Sequence, residues 1–162
     1  MNDSNNNLPR DLLANTLLIS PISYQWSPVN SAENIPYTYP GAITDYMKFK
    51  YKSPALYRWV IKKSDRTHIY YLGETDGPVT RRIYQYLNPE KSQKTNQRLH
   101  DLFYLEIKEK STIHLDYLTF SPFTINNIHI SQTSLSDPHI RRILEELFTV
   151  LSQKKGEMLL NK

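Results

Sequence analysis

"ALYRWVIKKSDRTHIYYLGETDGPVTRRIYQYL", Ala55 to Leu87, decides the fold. Two runs rich in β-branched and aromatic residues, 55–63 and 67–73, are separated by Ser64-Asp65-Arg66, which is a hairpin pattern. The chain then turns through Gly77 and Pro78 and becomes helical to Leu87, with proline in the first turn, where its missing N–H is tolerated. Alternation puts Tyr57, Trp59 and Ile61 on one face of the first strand. On the second strand Ile69, Tyr71 and Gly73 share a face and Tyr70 points away. In the helix, Val79, Ile83, Tyr86 and Leu87 form the apolar stripe. Arg82 borders that stripe one turn before Tyr86, whereas Arg81 aligns with Gln85 and Asn88 on the wetter side. If the strand faces coincide, Tyr57, Tyr71, Tyr86 and Arg82 gather in one pocket.

Outward from this unit the pattern stays α/β. "KTNQRLHDLFYLEIKEK" (94–110) predicts a second helix, with Leu99, Leu102, Phe103 and Glu106 or Ile107 along one side. "TIHLDYLTF" (112–120) alternates as a third strand. Residues 121–136 read as a polar insertion with a short strand at Ile125 to Ile130, either a base-reading loop or an ordinary surface excursion. A last helix starts after Asp137-Pro138 and runs to about Gln153, its stripe made by Ile143, Leu144, Leu147 and Leu151. On the N-terminal side, "YMKFKYK" (Tyr46 to Lys52) alternates like a strand with Lys48, Lys50 and Lys52 on one face, either against phosphates or simply solvated. Residues 1–45 read as an arm: Asn-rich and disordered over 2–7, a short helix after Pro9 with Leu12, Leu13, Thr16 and Leu17, and an extended stretch from Ser20 to Gly41 carrying Pro21, Pro28, Pro36 and Pro40. The expected fold is α/β (α+β), a small sheet of about three strands flanked by helices, over 46–162.

Composition narrows the chemistry. With 162 residues the chain forms one domain with a real core. A net charge of +4 is compatible with nucleic acid without requiring it. The absence of cysteine excludes disulfides, thiolate-bound zinc and iron–sulfur clusters. The five histidines, at 68, 100, 114, 129 and 139, show no spacing of a metal site. No apolar run reaches the length of a membrane span, and the N-terminus lacks a secretory pattern, so a soluble cytoplasmic protein with no membrane partner is expected.

A pocket of phenols and a guanidinium suits phosphodiester hydrolysis. That reaction needs an oriented water, a base, a cation against the developing phosphorane charge and usually a carboxylate-held metal. A free tyrosine, with a pKa near ~10, needs neighbouring positive charge to serve as that base.

The ordered set of residues resembles the GIY-YIG nuclease family over residues 53–155. Ala55-Leu56-Tyr57 and Tyr71-Leu72-Gly73 stand for the two half-motifs, with Ala for the first Gly and Leu for Ile in both. Arg82 and Tyr86 match the family's helical Arg and the His or Tyr one turn on, and Glu145 in "ILEELF" matches its metal ligand. The turn before the helix is one residue longer than usual, which favours Arg82 over Arg81 because Tyr86 follows it by four. Periodicity does not separate Glu145 from Glu146; the family's Leu-Glu pairing favours Glu145. Asn161 is a match for the late Asn, without the preceding Pro. "RRIYQY" and "ILEELF" look most like the family's restriction enzymes, and no separate DNA-binding domain is recognisable. The resemblance implies a type II restriction endonuclease acting on double-stranded DNA. Tyr57 would be its general base, Tyr71 would orient that centre, and Arg82 and Tyr86 would hold the phosphate. Glu145 would bind one Mg²⁺, with Mn²⁺ able to substitute. Cutting both strands of a symmetric site favours a homodimer. The alternatives are a GIY-YIG nuclease of repair or mobile DNA, or a non-catalytic nucleic-acid-binding α/β domain.

Overall fold

The computed structural model describes residues 17–161. Its centre is the expected hairpin, β2 (Ala55–Lys62) and β3 (His68–Thr75), with β4 (Thr112–Phe120) on the other side of β2. The pairing places Tyr57 opposite Gly73 and Tyr117, and Trp59 opposite Tyr71 and Leu115. The two strand faces read from alternation therefore coincide. The sheet gains two further strands and runs β1-β4-β2-β3-β7, where β1 is Tyr24–Pro28 and β7 is Met158–Leu159. All pairings are antiparallel except β3 with β7.

The described part of the N-terminal arm is extended, as its prolines predict, and it supplies β1. Pro28 is tolerated because β1 lies at the sheet edge, where a missing donor faces no neighbour. The disordered stretch expected over 2–7 and the helix expected after Pro9 lie outside the described residues. The strand expected at Tyr46–Lys52 is instead a helix, α1 (Asp45–Lys50). Thr44 caps it, its hydroxyl accepting from Met47 N at 3.2 Å, and Met47 alone turns inward. One buried residue per turn and a good cap outweigh the two-residue alternation, so the three lysines do not share a strand face. The insertion after β4 holds a hairpin, β5 (Phe123–Ile125) and β6 (Ile128–Ile130), where one strand was expected. Asn126 and Asn127 make its turn with φ of 45° and 70°, a left-handed pair that asparagine tolerates.

Helices cover both faces. On the face of Tyr57, Trp59 and Ile61 pack α2 (Val79–Leu87) and α3 (Lys94–Lys108), through Ile83, Tyr86, Leu99 and Phe103. On the face of Leu56, Leu72 and Leu118 packs α4 (Pro138–Lys154), through Leu144 and Phe148. Asp137 caps α4, its carboxylate accepting from His139 N at 2.7 Å. The expected α4 stripe shifts: Arg141, Leu144, Phe148 and Ser152 are buried and Ile143 is exposed. Among the described residues no helix is long and apolar enough to cross a membrane.

Candidate active site

Tyr57 rises from the middle of the sheet and is fully buried. Its ring lies across Gly73 on the paired strand. A Cβ at position 73 would stand 2.5 Å from the Tyr57 hydroxyl oxygen and 2.6 Å from Cζ, so this glycine is required by the ring rather than by a backbone turn. Tyr86, also fully buried, is wedged between Trp59 and Phe103, with ring centroids 5.4 and 6.1 Å away. Its carbonyl accepts from the Tyr39 hydroxyl at 3.2 Å and faces His100 Nδ1 at 2.8 Å, which fixes the end of α2. The two phenols meet with oxygens 3.0 Å apart.

Arg82 completes the cluster from one turn earlier on α2. Its Nε donates to the Tyr57 oxygen at 3.0 Å and its Nη2 to the Tyr86 oxygen at 3.4 Å. Its Nη1 donates to Gln85 Oε1 at 2.7 Å, so Gln85 partners Arg82 and not Arg81. Arg81 turns out to solvent and pairs with Asp76. Burial pushes the Tyr57 phenol up to about 12 against the pull of Arg82, and pushes Tyr86 and Tyr71 higher still. Burial also opposes the Arg82 charge, but the two phenols overcome it and Arg82 stays a cation.

Proton counting shows what the cluster lacks. Arg82 donates to both phenol oxygens, and the phenols share one hydrogen bond, which uses one of their two protons. The other phenol proton has no acceptor among Tyr57, Tyr86 and Arg82, and the Tyr71 hydroxyl beside Tyr86 is placed to share it. The Arg82 guanidinium, with no carboxylate hydrogen-bonded to it among the described residues, complements an anionic oxygen.

Tyr71 connects this cluster to open space. Its ring lies edge-on to Tyr86 at 6.5 Å, and it lines a cleft of about 390 Å³ together with Thr95, Arg98, Glu145, Glu146 and Asn161. Glu145 is half-buried, and Glu146 is exposed on the rim. Burial, then the nearby Glu74 and Glu146 carboxylates, raise the Glu145 carboxyl to about 7, with Arg82 and Arg142 pulling the other way. Glu74 is held by buried Arg141, whose Nε donates to it at 2.6 Å while Nη1 donates to Leu135 O at 2.7 Å. Asn161 acts as one more rung of the sheet beyond β7: its Oδ1 accepts from Leu72 N and its Nδ2 donates to Leu72 O, both at 2.8 Å.

Of the residues picked from sequence, Tyr57, Arg82 and Tyr86 form one hydrogen-bonded group, and Tyr71 and Glu145 line one cleft beside it. Tyr57 itself does not open to the cleft. Among the described residues no three His, Asp or Glu side chains gather as a ready-made metal centre. The donors present fit an ion that takes one or two carboxylates and keeps its waters, as Mg²⁺ does, because Glu145 is close to two like charges that a cation would relieve. Sequence reasoning missed Arg98 and Thr95, which reach the cleft from α3, and the Glu74–Arg141 pair. Nothing in the pattern of α3 distinguishes Arg98 from a solvated surface cation. No protein-family model matches the chain, and no curated protein or solved structure does.

Proposed function

We propose that the protein is a metal-dependent endonuclease of the GIY-YIG type that hydrolyses phosphodiester bonds of double-stranded DNA, acting as a site-specific type II restriction enzyme in the cytoplasm. One observation carries the reading: Arg82 bridges the Tyr57 and Tyr86 oxygens, beside a cleft that holds the Glu145 carboxylate.

In this reading Arg82 and Tyr86 donate to non-bridging oxygens of the scissile phosphate, where charge grows in the transition state. Tyr57 accepts the proton of the attacking water at its hydroxyl oxygen. Burial keeps that phenol neutral at pH 7, so the base is the phenolate that forms as pH rises, stabilised by Arg82 Nε at 3.0 Å. Tyr71, on the cleft wall, orients the water. Glu145 would hold a divalent ion, which stabilises the leaving oxygen when bound. Two copies related by a two-fold axis would cut the two strands of a symmetric site.

Full burial of Tyr57 and Tyr86 favours a second reading, a non-catalytic nucleic-acid-binding domain in which the phenols only brace the fold. Incubation of plasmid DNA with the purified protein and Mg²⁺ or Mn²⁺ separates the two. Discrete fragments are expected; DNA retained by the protein but left intact across metals and salts supports the second reading.

A further inference from the structure

The surface of α1 is not used by the cluster around Arg82. Phe49 is 72% exposed, and Tyr46, one turn earlier, is 39% exposed. A single exposed ring is ordinary on a protein surface. Here, however, the rings are gathered with ammonium groups: Lys52 Nζ lies 4.8 Å from the Phe49 centroid, and Lys50 Nζ lies 5.3 Å from both Tyr46 and Tyr51. Lys48 is neutralised by Asp45 at 2.9 Å, whereas Lys50 and Lys52 enter no ion pair among the described residues.

This patch is tied to the helix that carries Arg82. Tyr51 O accepts from the N–H of Val79, the first residue of α2, at 3.1 Å. The Tyr51 hydroxyl accepts from Asn30 N at 2.9 Å, and Met47 anchors α1 in the core. A cavity of about 180 Å³ opens between Lys50, Tyr51, Pro54, Val79 and Tyr117, with a largely apolar wall suited to a sugar face. Positive charge without counter-charge, an exposed ring and an apolar notch thus belong to a segment joined to Val79, the first residue of the helix that carries Arg82.

We infer that α1 binds the phosphodiester backbone of duplex DNA flanking the phosphate held by Arg82, with Lys50 and Lys52 against phosphates and Phe49 against a sugar. The inference rests on the nuclease reading for its choice of duplex DNA. An anionic membrane is the other polyanion that lysine and phenylalanine suit. Polybasic lipid recognition takes clusters of about four to eight basic residues, however, and α1 with the residues just after it offers two unpaired ones, Lys50 and Lys52.

The test is fluorescence anisotropy of a labelled duplex in EDTA over a range of salt, with wild type, the double variant Lys50→Ala/Lys52→Ala, and Phe49→Ala. The double variant binds every duplex more weakly, and its plot of log affinity against log salt is shallower by about 1.8, since each phosphate contact contributes about 0.9. Phe49→Ala binds more weakly with the wild-type slope. All three side chains are exposed, so melting temperatures stay alike and the slope reports contact rather than folding. A double variant with the wild-type slope overturns the inference, even if DNA is still bound and cut. Binding to phosphatidylserine vesicles that is lost in the double variant, with DNA affinity unchanged, overturns it in favour of a membrane. An altered slope in a protein that never cuts DNA upholds α1 as the docking surface and removes the nuclease reading alone.

Discussion

Gly73 and Tyr57 are a single structural unit: the ring of one occupies the space that a side chain on the other would need. The register of β2 with β3 puts them directly opposite, with a Cβ at 73 only 2.5 Å from the phenol oxygen. Gly73 on β3 thus sets the position of the Tyr57 phenol on β2.

Gly73→Ala is expected to force the Tyr57 ring off Arg82 and Tyr86, because the obstacle is a packed aromatic ring with no free path. Overpacking of this kind costs about 1–3 kcal/mol. Urea unfolding should report that loss, and cleavage should fall further than stability accounts for when both are measured well below the melting temperature. A variant with wild-type stability and activity would show that the ring has room to move.

Glu145 gives a pH dependence with a defined sign. Its folded-state value, about 7, lies above the ordinary 4.5, so the folded chain holds this proton while the unfolded chain releases it. The favourable contribution is fully present below the ordinary value and is lost as pH rises through about 7. Glu145→Gln removes this dependence, so its melting temperature should gain on wild type between about pH 5 and about pH 8. Mg²⁺ competes with the same proton, so the upshift in melting temperature that it causes in wild type should be larger at about pH 8 than at about pH 6, and absent in Glu145→Gln. Equal upshifts at both pH values would remove Glu145 as the ligand, and an upshift retained in the variant but lost in Glu146→Gln would move the ligand one residue along α4.

Arg98 lines the same cleft as Glu145 and enters no ion pair among the described residues. In the proposed nuclease it would contact a phosphate outside the reacting centre and so contribute to binding of ground state and transition state alike. Arg98→Ala is expected to raise KM about tenfold with kcat nearly unchanged. A fall in kcat at saturating DNA would place Arg98 at the reacting phosphate instead.

The hairpin, the register face and the choice of Arg82 over Arg81 were legible because each rests on local periodicity: two along the strands, 3.6 along α2. Tyr71 over Tyr70 follows in the same way, since Tyr70 packs with Arg58 on the opposite sheet face. What stayed hidden is non-local. β1 and β7 exist because β4 and β3 offer open edges, and the prolines around β1 mask it in the sequence. The lysines of α1 alternate like a strand, and only the burial of Met47 and the Thr44 cap reveal a helix. Arg98 reaches the cleft, and Arg141 reaches Glu74, through the packing of α3 and α4 around the sheet, which no spacing within either segment encodes.

The central claim is that the Tyr57 phenolate takes a proton during cleavage, and Tyr57→Phe tests it by removing one oxygen from a ring that otherwise stays packed. Loss of the hydroxyl leaves Arg82 Nε without one partner and costs about 1–2 kcal/mol of stability, so the variant should still fold. Single-turnover cleavage with Mg²⁺ is the measurement. The account predicts a wild-type rate that climbs with pH on the alkaline side, and a Tyr57→Phe rate lower by about 100-fold or more that has lost this climb. A folded Tyr57→Phe protein that cuts DNA at the wild-type rate, with the same pH profile, would contradict it.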